Sequence, residues 1–264
     1  MVTGKIWRVL VAVIGLVLLF PIVILIVLSF SAESYLHFPP KAWSLRWYQR
    51  FFADEGWQRA LWTSLVVGAV SCLIASIVGF LGAYAFVRGR FIGKRLLMSL
   101  VLMPIIVPQI ITSIALYFLS ARLGLVGGRL WIAICHSMLA LPIVVVMLMS
   151  ALQAVDINLE RAALGLGANQ IMVFRRVVIP LAMPGVVSAA LFAFLASFDE
   201  LIVALFLSGV SSVTLPVRIW NSLQMNVDPT VVAVSSFFIG VTVLVLLADW
   251  SIRRGRARSL LTRR

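Results

Sequence analysis

What this sequence lacks first is charge. Charged residues make up 12% of its 264 residues, against about 25% in an ordinary soluble domain. With 62% hydrophobic residues, a chain so poor in charge cannot cover its apolar surface with water-facing groups, and its natural solvent is lipid. Acid is scarcest: 9 Asp and Glu stand against 22 Lys and Arg, a formal charge of +13. In a soluble protein that balance suggests nucleic acid. Here the basic residues sit between apolar runs, where membrane orientation signals belong, and neither a basic helix nor an aromatic RNA-reading motif accompanies them. Nucleic acid is therefore not an expected partner. Cysteine is limited to Cys72 and Cys135, both inside apolar runs without redox or metal spacing, and both read as small core residues. There is no G-x-x-x-x-G-K-[ST]: Gly93-Lys94 is followed by Arg95, so a phosphate loop for ATP is excluded. No nucleophile, base and orienter, or metal-ligand set, gathers at one predicted depth, which argues against an enzyme.

What is present is apolar and periodic only in the coarse sense of long runs. Six of them place crossings at about 9–30, 62–87, 96–120, 130–152, 184–207 and 229–250, each long enough for a helix through a hydrocarbon core of roughly 30 Å. The expectation is an all-α integral membrane protein with six transmembrane helices, a single domain over residues 1–264, and a polar loop at about 153–183 between the fourth and fifth spans. The first run exceeds a signal-peptide core and reads as an uncleaved anchor. Lys5, Arg8, Arg88, Arg90, Lys94, Arg95, Arg161, Arg175, Arg176 and the arginines after Trp250 fall on one side. They outnumber Lys41, Arg46, Arg50, Arg59, Arg122, Arg129 and Arg218 on the other. The positive-inside rule then puts both termini in the cytoplasm.

Within this frame several residues stand out. The segment after the first span is aromatic, from Tyr35 to Trp57, and residues 44–60 suit a short amphipathic helix at the membrane surface. It reads as an interfacial belt or as a contact for a soluble partner. Gly68, Gly79 and Gly82 with Ser64, Ser71 and Ser76 predict close helix packing along the second span. Pro104 and Pro108, beside Gln109, predict an irregular backbone midway along the third. His136 in the fourth reads as a hydrogen-bonded interior residue rather than a ligand.

The polar loop is LERAALGLGANQIMVFRRVVIPLAMPG. Asp156 or Asn158 can cap a helix whose first turn holds Glu160, Gly165 and Gly167 interrupt it, and a second short helix runs through Phe174. Arg161-Ala162-Ala163, three residues, Gly167, nine residues, then Val177-Val178-Ile179-Pro180 resembles the cytoplasmic loop of type I ATP-binding-cassette (ABC) importer permeases, Glu-Ala-Ala through Ile-x-Leu-Pro. Arg161 stands where that family carries Glu, with Glu160 one place earlier. The resemblance implies the type I ABC importer permease fold and a non-catalytic subunit, with Glu160, Arg161, Ala162, Ala163, Gly167, Ala168 and Pro180 as the coupling surface for an ATPase. It further implies a second permease subunit, two ATPases that bind the ATP and Mg, an extracytoplasmic solute-binding protein, and a bacterial inner membrane. No cofactor is expected in this chain.

Ser197-Phe198-Asp199-Glu200 places two acids near the far end of the fifth span. Ionisable groups at such depth face a cavity or a paired charge. Phe198, Asp199 and Glu200 are candidate substrate-pathway residues, and since adjacent helical residues point about 100° apart, only one acid is expected to face the pathway. A carboxylate there attracts a cation; the alternative is an inter-helix hydrogen bond or salt bridge. Phe38-Pro39-Pro40 with Ser44-Leu45-Arg46-Trp47-Tyr48, the 197–200 segment, and Leu215-Pro216-Val217-Arg218-Ile219-Trp220 are similar to the C-type permeases of spermidine/putrescine importers. That similarity implies polyamine cargo. Other readings are import of another small organic solute (an opine, an amino-acid-like compound or a quaternary amine) or an ion-coupled secondary transporter.

Overall fold

The computed structural model describes residues 2–225 and 228–261. Their regular structure is helical, with one isolated antiparallel bridge, Ser31 to Trp43, among the described residues. In chain order the helices are α1 (Val2–Ser29), α2 (Arg46–Ala53), α3 (Glu55–Arg88), α4 (Lys94–Ile106), α5 (Gln109–Leu123) and α6 (Arg129–Gln153). They continue as α7 (Ile157–Gly165), α8 (Gln170–Val173), a π-helical turn (Phe174–Val178), α9 (Ile179–Phe198), α10 (Ile202–Leu207), α11 (Leu215–Met225) and α12 (Thr230–Leu261).

Four stretches are long and apolar enough to cross a membrane: Trp7–Ser29, Glu55–Arg88, Arg129–Gln153 and Gln170–Phe198. The bent pair α4 and α5 makes a fifth if counted as one span. Where a sixth crossing is expected, α12 carries the apolar stretch Thr230–Leu244. One span has the irregular backbone that the sequence predicts, and another differs from the sequence reading. The third is two helices meeting at 101°, because Pro108 has no N–H to return to the carbonyl of Pro104 and residue 107 before it is pushed to extended backbone. The fifth does not run through residue 207: α9 ends at Phe198, and the chain restarts as α10. Pro21 and Pro142, by contrast, lie inside continuous helices.

The chain packs as two compact units, residues up to Gln58 with those from Ile219 onward, and Arg59–Arg218. In the first, α1 and α2 each pack on α12. Phe51, fully buried, meets Trp57 and Phe237 at ring distances of 6.1 and 5.9 Å. Trp47 lies under the Arg46 guanidinium, 4.1 Å from the ring centre, and Arg50 approaches Asp228 at 3.7 Å. The expected surface helix is thus anchored by an aromatic core of its own.

In the second unit the main contact is α6 on α9. Ala140, Val144, Leu148 and Leu152 recur every four residues along one stripe of α6, and Ala182, Ala189 and Ala193 face them, all nearly inaccessible. Small residues set this spacing: a Cβ at Gly185 would run into the Cβ of Ala151, and one at Gly79 would lie 2.7 Å from Val144 Cγ1. Ser64 Oγ accepts the N–H of Leu215 at 2.7 Å. A second cluster joins Val67, Leu116, Ile132, Ala133, Cys135, Val203 and Leu207. The unit carries its polar features at two places, the 153–183 loop and the region where α4 meets α5 and α9 meets α10.

Candidate functional site

The loop is built as two capped helices with a sharp turn between them. Asp156 caps α7, its Oδ1 accepting from Asn158 N at 2.9 Å, and Asn169 caps α8 by accepting from Met172 N at 2.8 Å. The turn closes on Gly167 at φ 88°, where a side chain would be strained. Carbonyls of Ala162, Leu164 and Ala163 accept from the N–H groups of Leu166, Gly167 and Ala168 at 3.0 to 3.1 Å, so the helix end is satisfied. Below it Phe174 packs edge-on against Tyr84 and Phe80, at 5.0 and 5.6 Å. Pro180, in the first turn of α9, has no N–H, and its ring crowds the carbonyl four residues back, Arg176, which lies in the π-helical turn.

The outward surface of this loop consists of Arg161, Ala162, Leu164, Leu166 and Ile171, with Gly167, Arg175 and Arg176 also exposed and Ala163 and Ala168 half-buried. Leu166 is 89% and Ile171 71% accessible, which is unusual for side chains of that size near such an ordered turn. Glu160 is placed differently. It is 6% accessible and turned inward, its Oε1 accepting from Arg88 Nε at 2.8 Å and lying 2.7 Å from the second guanidinium nitrogen. The same arginine donates to the carbonyls of Val155 at 2.8 Å and Leu152 at 3.3 Å. One guanidinium therefore joins the last turn of α3, the end of α6 and the first turn of α7. Sequence reasoning placed Arg88 among the orientation charges and missed this role, since nothing in either segment signals the pairing.

The second region is an open cavity of about 400 Å³ at the α4–α5 bend, lined also by α6 and α9. Its walls include residues 104–109, Leu139, Ile143, Phe192, His136 and Glu200. Glu200 is the one carboxylate or ammonium side chain among them. Its Oε1 accepts the N–H of Val203 at 2.8 Å, capping α10, and its Oε2 accepts from Gln109 Nε2. So the inter-helix hydrogen bond admitted by the sequence exists, made by an uncharged partner. Asp199 terminates α9 as an exposed residue and is not in the cavity wall. Phe198 stacks on Phe194 at 5.8 Å, and it too lies outside the wall. The two acids, though adjacent, are placed differently because both lie past the end of α9, where the chain leaves the helix.

His136, 2% accessible, is hydrogen-bonded as expected: its Nδ1 lies 2.9 Å from Ser197 Oγ. Its Nε2 is buried with no hydrogen-bond partner, a situation that costs about 1–3 kcal/mol and calls for a reason. The final carbonyls of α4 add further acceptors, since helix pairing cannot continue through Pro108. The cavity thus carries one carboxylate beside the Gln109 amide and an apolar remainder.

Known proteins match this architecture and its sequence. The family model for binding-protein-dependent transport system inner membrane components matches residues 73–257, which includes both regions. The Escherichia coli putrescine transport system permease protein PotI is 32% identical over 92% of this chain and 89% of its own length. The spermidine/putrescine transport system permease protein PotC of Haemophilus influenzae is 32% identical over 89% of this chain and 91% of its own. A solved bacterial ABC transporter involved in import of the acidic polysaccharide alginate shares the fold, with a TM-score of 0.78 over 95% of this chain and 96% of its own at 18% identity. The family model over most of the chain and the relatives matched along nine-tenths of it agree: the chain belongs to the binding-protein-dependent transport system inner membrane components, the non-catalytic permease subunits of ABC importers.

Proposed function

We propose that this chain is one of two membrane-spanning halves of an ATP-driven polyamine importer, taking up cations such as putrescine or spermidine. The observation that carries the cargo class is Glu200: a carboxylate in an otherwise uncharged, partly apolar cavity, held by two neutral donors. Such a group attracts a cation whose methylene chain can lie along Ile105, Ile143 and Phe192. The family alone does not decide cargo. A Mycobacterium tuberculosis relative at 30% identity over 76% of this chain is named a trehalose transport system permease. The names of the relatives at 30–32% identity over about nine-tenths of the chain point the same way as the electrostatics.

In this reading the 153–183 loop is cytoplasmic and seats in a groove of the ATPase, through Arg161, Ala162, Ala163, Leu166, Gly167, Ala168 and Ile171, with Pro180 starting the span that moves. A capped pair of short helices transmits displacement because it cannot deform cheaply. Both termini are cytoplasmic, and the second permease, two ATPases and an extracytoplasmic solute-binding protein complete the assembly in a bacterial inner membrane. The test is uptake of radiolabelled putrescine by the reconstituted complex with its solute-binding protein. Competition by spermidine and none by neutral or anionic solutes is expected. Equal competition by a neutral sugar, or uptake that survives loss of the ATPase and collapses with the proton gradient, would sink the proposal.

A further inference from the structure

Building on the polyamine reading, we propose that Gln109 is an internal stand-in for the cargo's ammonium group, one that cargo displaces from Glu200 on entering the cavity. Gln109 Nε2 donates to Glu200 Oε2, where an N–H of a primary ammonium would also bind. The other carboxylate oxygen is already fixed by Val203 N–H at 2.8 Å. Loss of Gln109 therefore leaves Oε2 in place and free.

Three features make the exchange workable. Gln109 is the first residue of α5, beside the 101° bend and next to Pro108, so its reach to Glu200 depends on the angle between two helices that no continuous hydrogen-bond ladder holds. An ammonium–carboxylate bond is charge-assisted at both ends and stronger than an amide–carboxylate bond, so cargo wins the competition while Gln109 satisfies the site when it is empty. The volume of about 400 Å³ takes on the order of ten waters at their liquid density, ample for an ammonium head and part of an alkyl chain.

The consequence has an unusual sign: removing the amide should tighten cargo binding. Equilibrium binding of radiolabelled putrescine is measured on the purified permease–ATPase complex without the solute-binding protein, whose own affinity would mask the effect. Gln109→Leu and Gln109→Asn, whose arm is one methylene too short, should each lower Kd about 10- to 100-fold, the order expected for one hydrogen bond to a charged group. Both should leave complex assembly intact. A raised Kd would make Gln109 a direct cargo ligand, and an unchanged Kd, or no binding by wild type or variants, would make it a structural contact; each of these overturns the proposal. Uptake by the complete system, including its solute-binding protein, tests the polyamine reading separately. If wild type imports putrescine and Glu200→Gln does not, yet Gln109→Leu fails to tighten binding, only the displacement idea falls. If wild type imports no primary amine, both fall.

Discussion

Glu160 lies against an arginine and Glu200 against an amide, and the rest of each region follows from that difference. At the loop, Arg88 meets the Glu160 carboxylate with a full positive charge and spends its remaining donors on the carbonyls of Val155 and Leu152. At the bend, Glu200 is oriented by Gln109 and Val203, neither of which carries charge. A carboxylate neutralised by a fixed cation is committed to structure; one oriented by neutral donors retains its field for a cation that comes and goes. The helices around them differ in the same sense. The loop is capped at both starts and closed by three turn hydrogen bonds, whereas α4 with α5, and α9 with α10, are each interrupted beside the cavity.

Breaking the first half of this comparison should have the largest effect. Arg88→Ala leaves Glu160 buried without its cation and removes a donor from the carbonyls of Val155 and Leu152, and truncating one partner of a buried pair costs about 3–5 kcal/mol. The expected result is a sharp drop in the thermal midpoint of the assembled complex. Glu200→Gln, which keeps an oxygen to cap α10, should leave the midpoint nearly unchanged and abolish most uptake. If the two variants exchange phenotypes, the division between a structural and a functional carboxylate is wrong.

Gly167→Leu attacks the loop's rigidity instead of its charge. At φ 88° a leucine adds about 1–2 kcal/mol of backbone strain, while the space around the site is open, so the chain still folds. Because the turn joins α7 to α8, putrescine-stimulated ATP hydrolysis should fall several-fold with little change in binding of putrescine. Stimulated hydrolysis at the wild-type level would show that the turn geometry does not carry coupling.

How much of this was legible beforehand depends on whether the determinant was local. The cap at Asp156, the turn at Gly167 and the disturbance around Pro104 and Pro108 are near-neighbour effects, and residue order displays them; the cap at Asn169 is equally local and was missed. The two short helices of the 153–183 loop with the turn between them were legible in the same way. The partner of Glu160 was not, because Arg88 and Glu160 are brought together by the packing of α3 on the loop and by no pattern in either segment. The same holds for Gln109 and Glu200. The fifth span was drawn straight through residues 199 and 200 because hydropathy recovers immediately at Leu201, and an average over a window hides a break of two or three residues.

A smaller effect is expected at Ser64, which ties the start of α11 to α3. Ser64→Ala removes the buried acceptor for Leu215 N–H and should cost about 1–2 kcal/mol, visible as a modest fall in the thermal midpoint. Uptake per folded complex should not change, since Ser64 is absent from the cavity wall. A specific loss of uptake would extend the functional region beyond the bend.

The smallest effect should come from Asp199→Asn, and it separates two accounts of why the bend attracts cations. If a general negative field at the end of α9 is what matters, Asp199 and Glu200 are interchangeable, and neutralising either should weaken uptake alike. If the field is focused by the cavity, position decides. Glu200 is half-buried in the wall beside Phe192, while Asp199 is exposed beyond the end of the helix. Charges in low-dielectric surroundings interact several-fold more strongly than exposed ones at equal distance. Asp199→Asn should accordingly change the initial rate of putrescine uptake by less than about 2-fold at physiological ionic strength, with the residual effect vanishing at high salt as screening removes it. Glu200→Gln should stay defective at every salt concentration. Equal losses for both, or a salt-resistant loss for Asp199→Asn, would mean that the pathway runs past both acids and that the cavity wall is only part of it.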